Sequence, residues 1–92
     1  DMLTFQKCMQ MCAARIGQSL NLDDLATNLG IDQRKVKQWL SVLEASYIIY
    51  LLKPYHNNYN KRLTKKPKLY FYDTGLACSL LDIKSRENLV LS

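Results

Sequence analysis

The sequence predicts a mainly α-helical domain that carries one small β-hairpin. Three segments place apolar residues at the spacing of an amphipathic helix, with aspartate or glycine at several of their ends. Two later, short segments are instead rich in β-branched and aromatic residues, which is typical of strands. Ninety-two residues suffice for one small core but not for two, so we expect a single domain over residues 1–92.

The three helices are predicted at residues 2–17, 22–29 and 33–45. The first ends at Gly17, a residue type that commonly terminates helices. The second carries Asp23 and Asp24 near its N-terminal end, where the helix dipole favours negative charge. Asp32 is well suited to cap the N-terminus of the third helix.

The second and third helices meet the requirements of a helix-turn-helix. Two helices that cross through a tight turn need a small residue at their contact, a turn residue that tolerates positive φ, and apolar neighbours. Ala26 supplies the small residue and Gly30 supplies the turn. Leu25, Val36 and Trp39 belong to the apolar frame. Because several independent positions agree, we predict a helix-turn-helix over residues 22–45.

The rest of the chain predicts a hairpin and one further helix. These elements are a strand at 47–53, a polar wing at 54–67, a strand at 68–72 and a helix at 74–81. The order helix, helix, helix, strand, wing, strand, helix is that of a winged helix. The predicted fold class is therefore mainly α with a small β-hairpin, in a winged helix-turn-helix.

The charge distribution indicates a polyanionic partner. Residues 33–68 hold nine basic residues and one acidic residue, a net charge of +8, whereas the whole chain carries +5. Basic and amide side chains suit the acceptor-rich base edges of the major groove and the phosphates beside it. The candidate contacts to double-stranded DNA are Gln33, Arg34, Lys35, Lys37 and Gln38 on the third helix, and Lys61, Arg62, Lys65 and Lys66 in the wing.

The same residues are also compatible with a domain that does not bind DNA. Lys, Arg and Gln are good helix formers on any solvated surface, and a Lys-rich loop keeps an edge strand soluble. The alternative function is a non-catalytic interaction or regulatory module that docks on another protein.

No enzymatic or metal chemistry is predicted from the residues. The single histidine, His56, has no evident catalytic neighbour, and the three glycines form no phosphate-binding loop. Cys8 and Cys12 have a spacing that can chelate a metal, but Phe5 and Ile16 place them in an apolar helical stripe. We expect no catalytic residue, cofactor or metal. Three cysteines and the absence of a long apolar run favour a reducing, cytoplasmic location without a membrane partner.

A longer signature runs from the third helix through the hairpin. It comprises Leu43-Glu44, Tyr47–Tyr55, Asn57-Asn58, Lys61-Arg62, Lys65, Pro67-Lys68, Tyr70-Phe71 and Asp73–Leu76. This signature closely resembles the uncharacterised domain, domain of unknown function 4143, that follows the ATPase core of predicted bacterial and archaeal AAA+ ATPases.

The resemblance implies that the chain is a piece of a longer protein. A preceding ATPase module would bind ATP and Mg²⁺, and the winged helix would either place that module on DNA or pack against it. No catalytic residue of that family can be assigned to a position in this sequence.

Overall fold

The computed structural model describes residues 1–54 and 66–91, with side chains described as far as residue 87. The elements are α1 (Met2–Ala14), α2 (Leu22–Leu29), α3 (Gln33–Ala45), β1 (Ile49–Leu52), β2 (Lys68–Phe71) and α4 (Thr74–Leu91). Three helices thus precede an antiparallel hairpin, and a further helix follows it. This order agrees with the predicted mainly α class with a small β-hairpin.

The turn between α2 and α3 has the conformation that the sequence predicts. Gly30 lies in the left-handed region at φ 68° and ψ 34°. The amide of Ile31 donates to the carbonyl of Ala26 at 3.1 Å, and the amide of Gly30 donates to Thr27 at 3.3 Å. This pair of bonds is a Schellman motif, which satisfies the last carbonyls of a helix. The side chain of Asp32 then caps α3, so the crossing of the two helices is set by local backbone chemistry.

One hydrophobic core draws on every helix and both strands. Its buried members are Cys8, Cys12, Ala13, Leu25, Ala26, Val36, Leu40, Leu43, Ile49, Leu69, Phe71, Ala77 and Leu80. Leu25, Leu43 and Ile49 are among the largest fully buried side chains. Because α3 buries one side against this core, its other side is held facing outward on a rigid support.

The hairpin alternates between buried and outward-facing residues. β1 pairs with β2 so that Ile49 lies opposite Phe71 and Tyr50 lies opposite Tyr70. Ile49 and Phe71 are buried in the core, together with Leu69. Since successive side chains of a strand point to opposite faces, Tyr50 and Tyr70 occupy the outer face of the sheet.

The first helix is shorter than predicted. It ends at Ala14 and not at residue 17, because Gly17 has a φ of 79° and its amide donates to the carbonyl of Leu69 at 2.8 Å. The amide of Leu20 likewise donates to Pro67 at 2.8 Å. The segment 17–20 therefore runs beside β2, where Ser19 forms an antiparallel bridge with Lys68 that is absent from the predicted elements.

Other element bounds also differ from the prediction. The predicted helix 74–81 continues to Leu91, since no proline or glycine follows Gly75 and an Arg86–Asp82 ion pair of 3.1 Å spans one helical turn. The predicted strand 47–53 is shortened to Ile49–Leu52, because residues 47 and 48 complete the C-terminal cap of α3. The predicted strand 68–72 ends at Phe71. Most of the predicted wing, residues 55–65, lies outside the described residues.

The cysteines differ sharply in their surroundings. Cys8 and Cys12 are fully buried, and no disulfide joins them. A hydrogen bond with Cys8 and, second, burial raise the pKa of the Cys12 thiol far above its ordinary range. Cys78 lies exposed on α4. Within residues 1–54 and 66–91, no three histidine, cysteine or acidic side chains are grouped to hold a metal ion.

Thiol labelling is expected to separate these cysteines. In the native protein a thiol-specific reagent should modify Cys78 rapidly, because its thiol is exposed, whereas the buried Cys8 and Cys12 are inaccessible to the reagent. All three cysteines should react in denaturant. Mass spectrometry measures which cysteines carry the label. Rapid labelling of Cys8 and Cys12 in the folded protein would contradict the packing of α1.

In the part of the chain that the structure describes, no helix has the length and apolarity needed to cross a bilayer.

Candidate nucleic-acid interface

The outward side of α3 carries a small basic and polar surface. Its inward side is defined by the buried Val36, Leu40 and Leu43. At about 100° of rotation per residue, the sector opposite them contains Arg34, Gln38 and Ser41 beside the apolar Val42 and Ala45, with Lys37 at its edge. Arg34, Lys37, Gln38 and Ser41 are all exposed. We call this set the outward face of α3.

Arg34 is a highly accessible cation of this face. Its side chain is 92% exposed, and its Nε lies 3.8 Å from Oδ1 of Asp32, the N-cap of the same helix. Such a solvent-exposed ion pair contributes little to stability, so the guanidinium can exchange this carboxylate for another anion. Asp32 nevertheless places a negative charge at the N-terminal end of the outward face.

Gln33 and Lys35 lie on opposite flanks of α3. The side chain of Gln33 donates to the carboxylate of Asp23 on α2. The ammonium of Lys35 lies 6.0 Å from the centre of the Trp39 ring, which in turn packs edge-on against Phe5 at 5.4 Å. Gln33 and Lys35 are two positions apart in the helix, which corresponds to about 200° of rotation, so their side chains cannot share a face.

Of the four wing residues predicted to contact DNA, the structure describes only Lys66. Lys66 is exposed and lines a shallow groove together with Asp23, Gln33 and Leu20. This groove brings the return of the hairpin beside the N-terminal end of α3. Lys61, Arg62 and Lys65 lie outside the described residues, and their predicted role stays a prediction.

The structure also assembles an aromatic surface that the sequence reasoning missed. Four tyrosines contact one another on the outer side of the hairpin: Tyr47, Tyr50, Tyr70 and Tyr72. We call this set the tyrosine face. A signal for it was present, because the alternation in residues 69–72 puts Tyr70 and Tyr72 on the side opposite to the buried Leu69 and Phe71.

Comparison with known proteins assigns the chain to a family. Residues 1–87 match the family described as Domain of unknown function (DUF8612), and the chain belongs to it. The predicted membership in the domain that follows the ATPase core of AAA+ ATPases is therefore wrong. The ATPase module, with its ATP and Mg²⁺, was implied by that resemblance alone, so no finding supports it.

Two relatives of the chain are uncharacterized proteins, one from Mycobacterium tuberculosis and one from Mycobacterium bovis. Each is 32% identical over 83 residues, which cover 90% of this chain but 19% of the relative. The chain thus spans about a fifth of the length of the curated relatives that it matches.

Solved structures with a similar fold include two mutants of MepR from S. aureus. One has a TM-score of 0.61 at 17% identity, and the other, bound to an oligodeoxyribonucleotide, has 0.59 at 18%. Both matches cover 96% of this chain and 61% of the MepR chain. Since MepR is a winged-helix protein, the similarity confirms the predicted winged helix-turn-helix.

Proposed function

We propose that this domain of the DUF8612 family binds double-stranded DNA through the outward face of α3. The observation that carries the proposal is the cluster of Arg34, Lys37 and Gln38, which a winged-helix scaffold holds outward from a rigid core. A protein of similar fold, MepR, has been solved with an oligodeoxyribonucleotide bound. DNA-binding winged helices insert the third helix into the major groove, and among the described residues the outward face of α3 is exposed.

Each side chain of the cluster suits one kind of contact. An arginine such as Arg34 can donate two hydrogen bonds to the major-groove edge of guanine, and an amide such as Gln38 can pair with adenine. Lys37 suits a neighbouring phosphate. Lys66 and, by sequence prediction, Lys61, Arg62 and Lys65 would neutralise phosphates beside the groove.

The two flanking residues of α3 take lesser roles in this proposal. Gln33 would reach DNA only after releasing the carboxylate of Asp23, whereas Lys35 keeps its charge beside Trp39 and would act on a phosphate at the edge of the interface. We therefore expect their replacement to weaken DNA binding less than replacement of Arg34.

The substitution Asp32→Asn is expected to tighten duplex binding severalfold at low salt. It removes the negative charge that lies 3.8 Å from Arg34, while asparagine caps a helix about as well as aspartate. The gain should shrink as salt is added, because it is electrostatic. Fluorescence anisotropy with a labelled duplex measures it, and unchanged affinity at low salt would mean that Arg34 does not approach DNA.

Docking on a protein partner is the second candidate function for the same surface. The carboxylate of Asp32 at the N-terminal end of the outward face favours it, because a negative charge there repels DNA phosphates but can pair with a cation of a protein. In this case the isolated domain should show no duplex affinity at low salt, and Asp32→Asn should leave that result unchanged.

A further inference from the structure

The C-terminal cap of α3 contains a conformationally costly tyrosine. Tyr47 has a φ of 58°, the one positive φ at a non-glycine position among the described residues. Its amide donates to Glu44 at 3.0 Å, and the amide of Ile48 donates to Leu43 at 2.9 Å. This is the Schellman pattern that α2 forms with Gly30, yet here a bulky residue takes the position that favours glycine.

A glycine at this position would adopt the left-handed conformation with less strain. Residues held in such conformations cluster at functional sites. The Tyr47 side chain is 75% exposed, so burial in the core does not account for its presence. The position of the ring suggests a role on the protein surface.

That ring is one end of the tyrosine face. Tyr47 meets Tyr72 at 5.9 Å between ring centroids, Tyr72 meets Tyr50 at 4.9 Å, and Tyr50 stacks on Tyr70 at 5.5 Å with 21° between the ring planes. Tyr72 is 55% exposed, and Tyr50 is also exposed. The four rings therefore form a continuous surface whose outer parts reach solvent.

Positive charge borders the tyrosine face on the side toward the wing. Lys68 is exposed and pairs with Leu52 in the next outward position of the hairpin. The acid closest in sequence, Asp73, uses its Oδ1 to accept the amides of residues 75 and 76 at the start of α4. The face thus combines aromatic rings with a neighbouring cation.

We propose that the tyrosine face binds single-stranded DNA. Unpaired bases expose flat surfaces that stack on aromatic side chains, and a strand laid along the hairpin would bring a phosphate to Lys68. In a duplex the faces of the bases are covered by their neighbours, so this surface discriminates in favour of an unpaired strand. The positive charge of Lys68 favours an anionic strand over a basic protein surface.

This site shares no residue with the outward face of α3. Its failure and the failure of duplex binding can therefore be distinguished in one set of variants. The measurement is fluorescence anisotropy of the domain with a labelled oligothymidylate and, in parallel, with a labelled duplex.

Three substitutions test the tyrosine face. Tyr50→Leu removes the central ring and should weaken oligothymidylate binding roughly tenfold, whereas Tyr50→Phe keeps the ring and should bind like the wild type. Tyr47→Gly removes a ring but also the backbone strain, so it should bind the oligonucleotide severalfold more weakly while its Tm stays the same or rises. If Tyr47 had only a structural role, Tyr47→Gly would weaken oligonucleotide binding only together with a lower Tm.

Duplex binding supplies the internal control. Tyr50→Leu and Tyr47→Gly should leave duplex affinity within about twofold of the wild type, and Arg34→Ala should leave oligothymidylate affinity in the same range. The proposal is overturned if the wild type does not bind oligothymidylate at low salt, or if Tyr50→Leu binds it as tightly as Tyr50→Phe. A third result would also overturn it: the wild type does not bind oligothymidylate, and light scattering shows a dimer that the substitution Tyr50→Leu dissociates. The tyrosine face would then be a contact between two copies of the chain.

Discussion

Replacing Arg34 and Lys37 together by alanine is expected to weaken duplex DNA binding by about ten- to a hundredfold at low salt. A good bidentate arginine contact to a base contributes about 1 to 3 kcal/mol, and each lost phosphate contact lowers the release of counterions. The slope of log affinity against log salt concentration should accordingly become shallower by about one for each lost phosphate contact. Anisotropy titrations at several salt concentrations measure both quantities.

The matched control removes the same charge from another surface. Lys7 of α1 and Lys84 of α4 lie on a different part of the domain, where they line one groove beside Asn28. The double substitution Lys7→Ala and Lys84→Ala lowers the net charge by the same two units. If it weakens binding as much as the α3 pair does, the attraction is a general effect of net charge, and the outward face of α3 is not the contact.

The helix-turn-helix was predictable because its determinants are local. The left-handed turn needs Gly30, the cap needs Asp32, and the close approach needs Ala26, all within a short stretch of sequence. Such determinants act through the backbone of their own segment, so a single sequence displays them. The confirmed fold class rests on these positions.

The segment after α1 was not predictable for the opposite reason. Residues 17–20 run beside β2 because the amides of Gly17 and Leu20 donate to the carbonyls of Leu69 and Pro67, about fifty residues further along the chain. Nothing in their own composition favours a strand. A contact between distant segments decides their conformation, and only the folded chain reveals it.

The candidate interface stays a prediction, and the structure shows how its α3 residues are arranged. Counting basic and amide residues gave one group, within which Arg34, Lys37 and Gln38 lie on one side of α3, whereas Gln33 and Lys35 lie on its two flanks. Gln33 contacts Asp23 on α2, a partner that only the tertiary structure brings near. Lys35 contacts Trp39, which lies one turn further along the same helix. Composition alone could not separate them.

The mistaken family assignment has a physical explanation as well. Much of the quoted signature meets demands of the fold: Leu43 and Phe71 fill the core, and Asp73 caps α4. A domain that packs a hairpin against helices needs buried apolar residues and helix caps at such places. A resemblance carried by them identifies the fold more securely than the family.

Leu25→Ala is expected to destabilise the domain by about 3 to 5 kcal/mol. The Leu25 side chain is 1% exposed and belongs to the core that joins α2 to the other elements. Its truncation removes apolar burial and leaves a cavity, as in other buried leucines. A domain of this size has a total stability of about 5 to 14 kcal/mol, so the loss is a large fraction of it. Thermal unfolding followed by circular dichroism should show a Tm more than about 10 °C lower.

The outer leucine of α1 provides the control for this substitution. Leu3 is 61% exposed in the first turn of α1, so Leu3→Ala should change the free energy of unfolding by less than about 0.5 kcal/mol. Because Leu25 supports the scaffold that holds α3, Leu25→Ala should also lose duplex binding at temperatures where Leu3→Ala retains it. A Tm for Leu25→Ala close to that of Leu3→Ala would mean that α2 is not packed as described. The outward face of α3 would then lack the rigid support on which the proposed DNA contact depends.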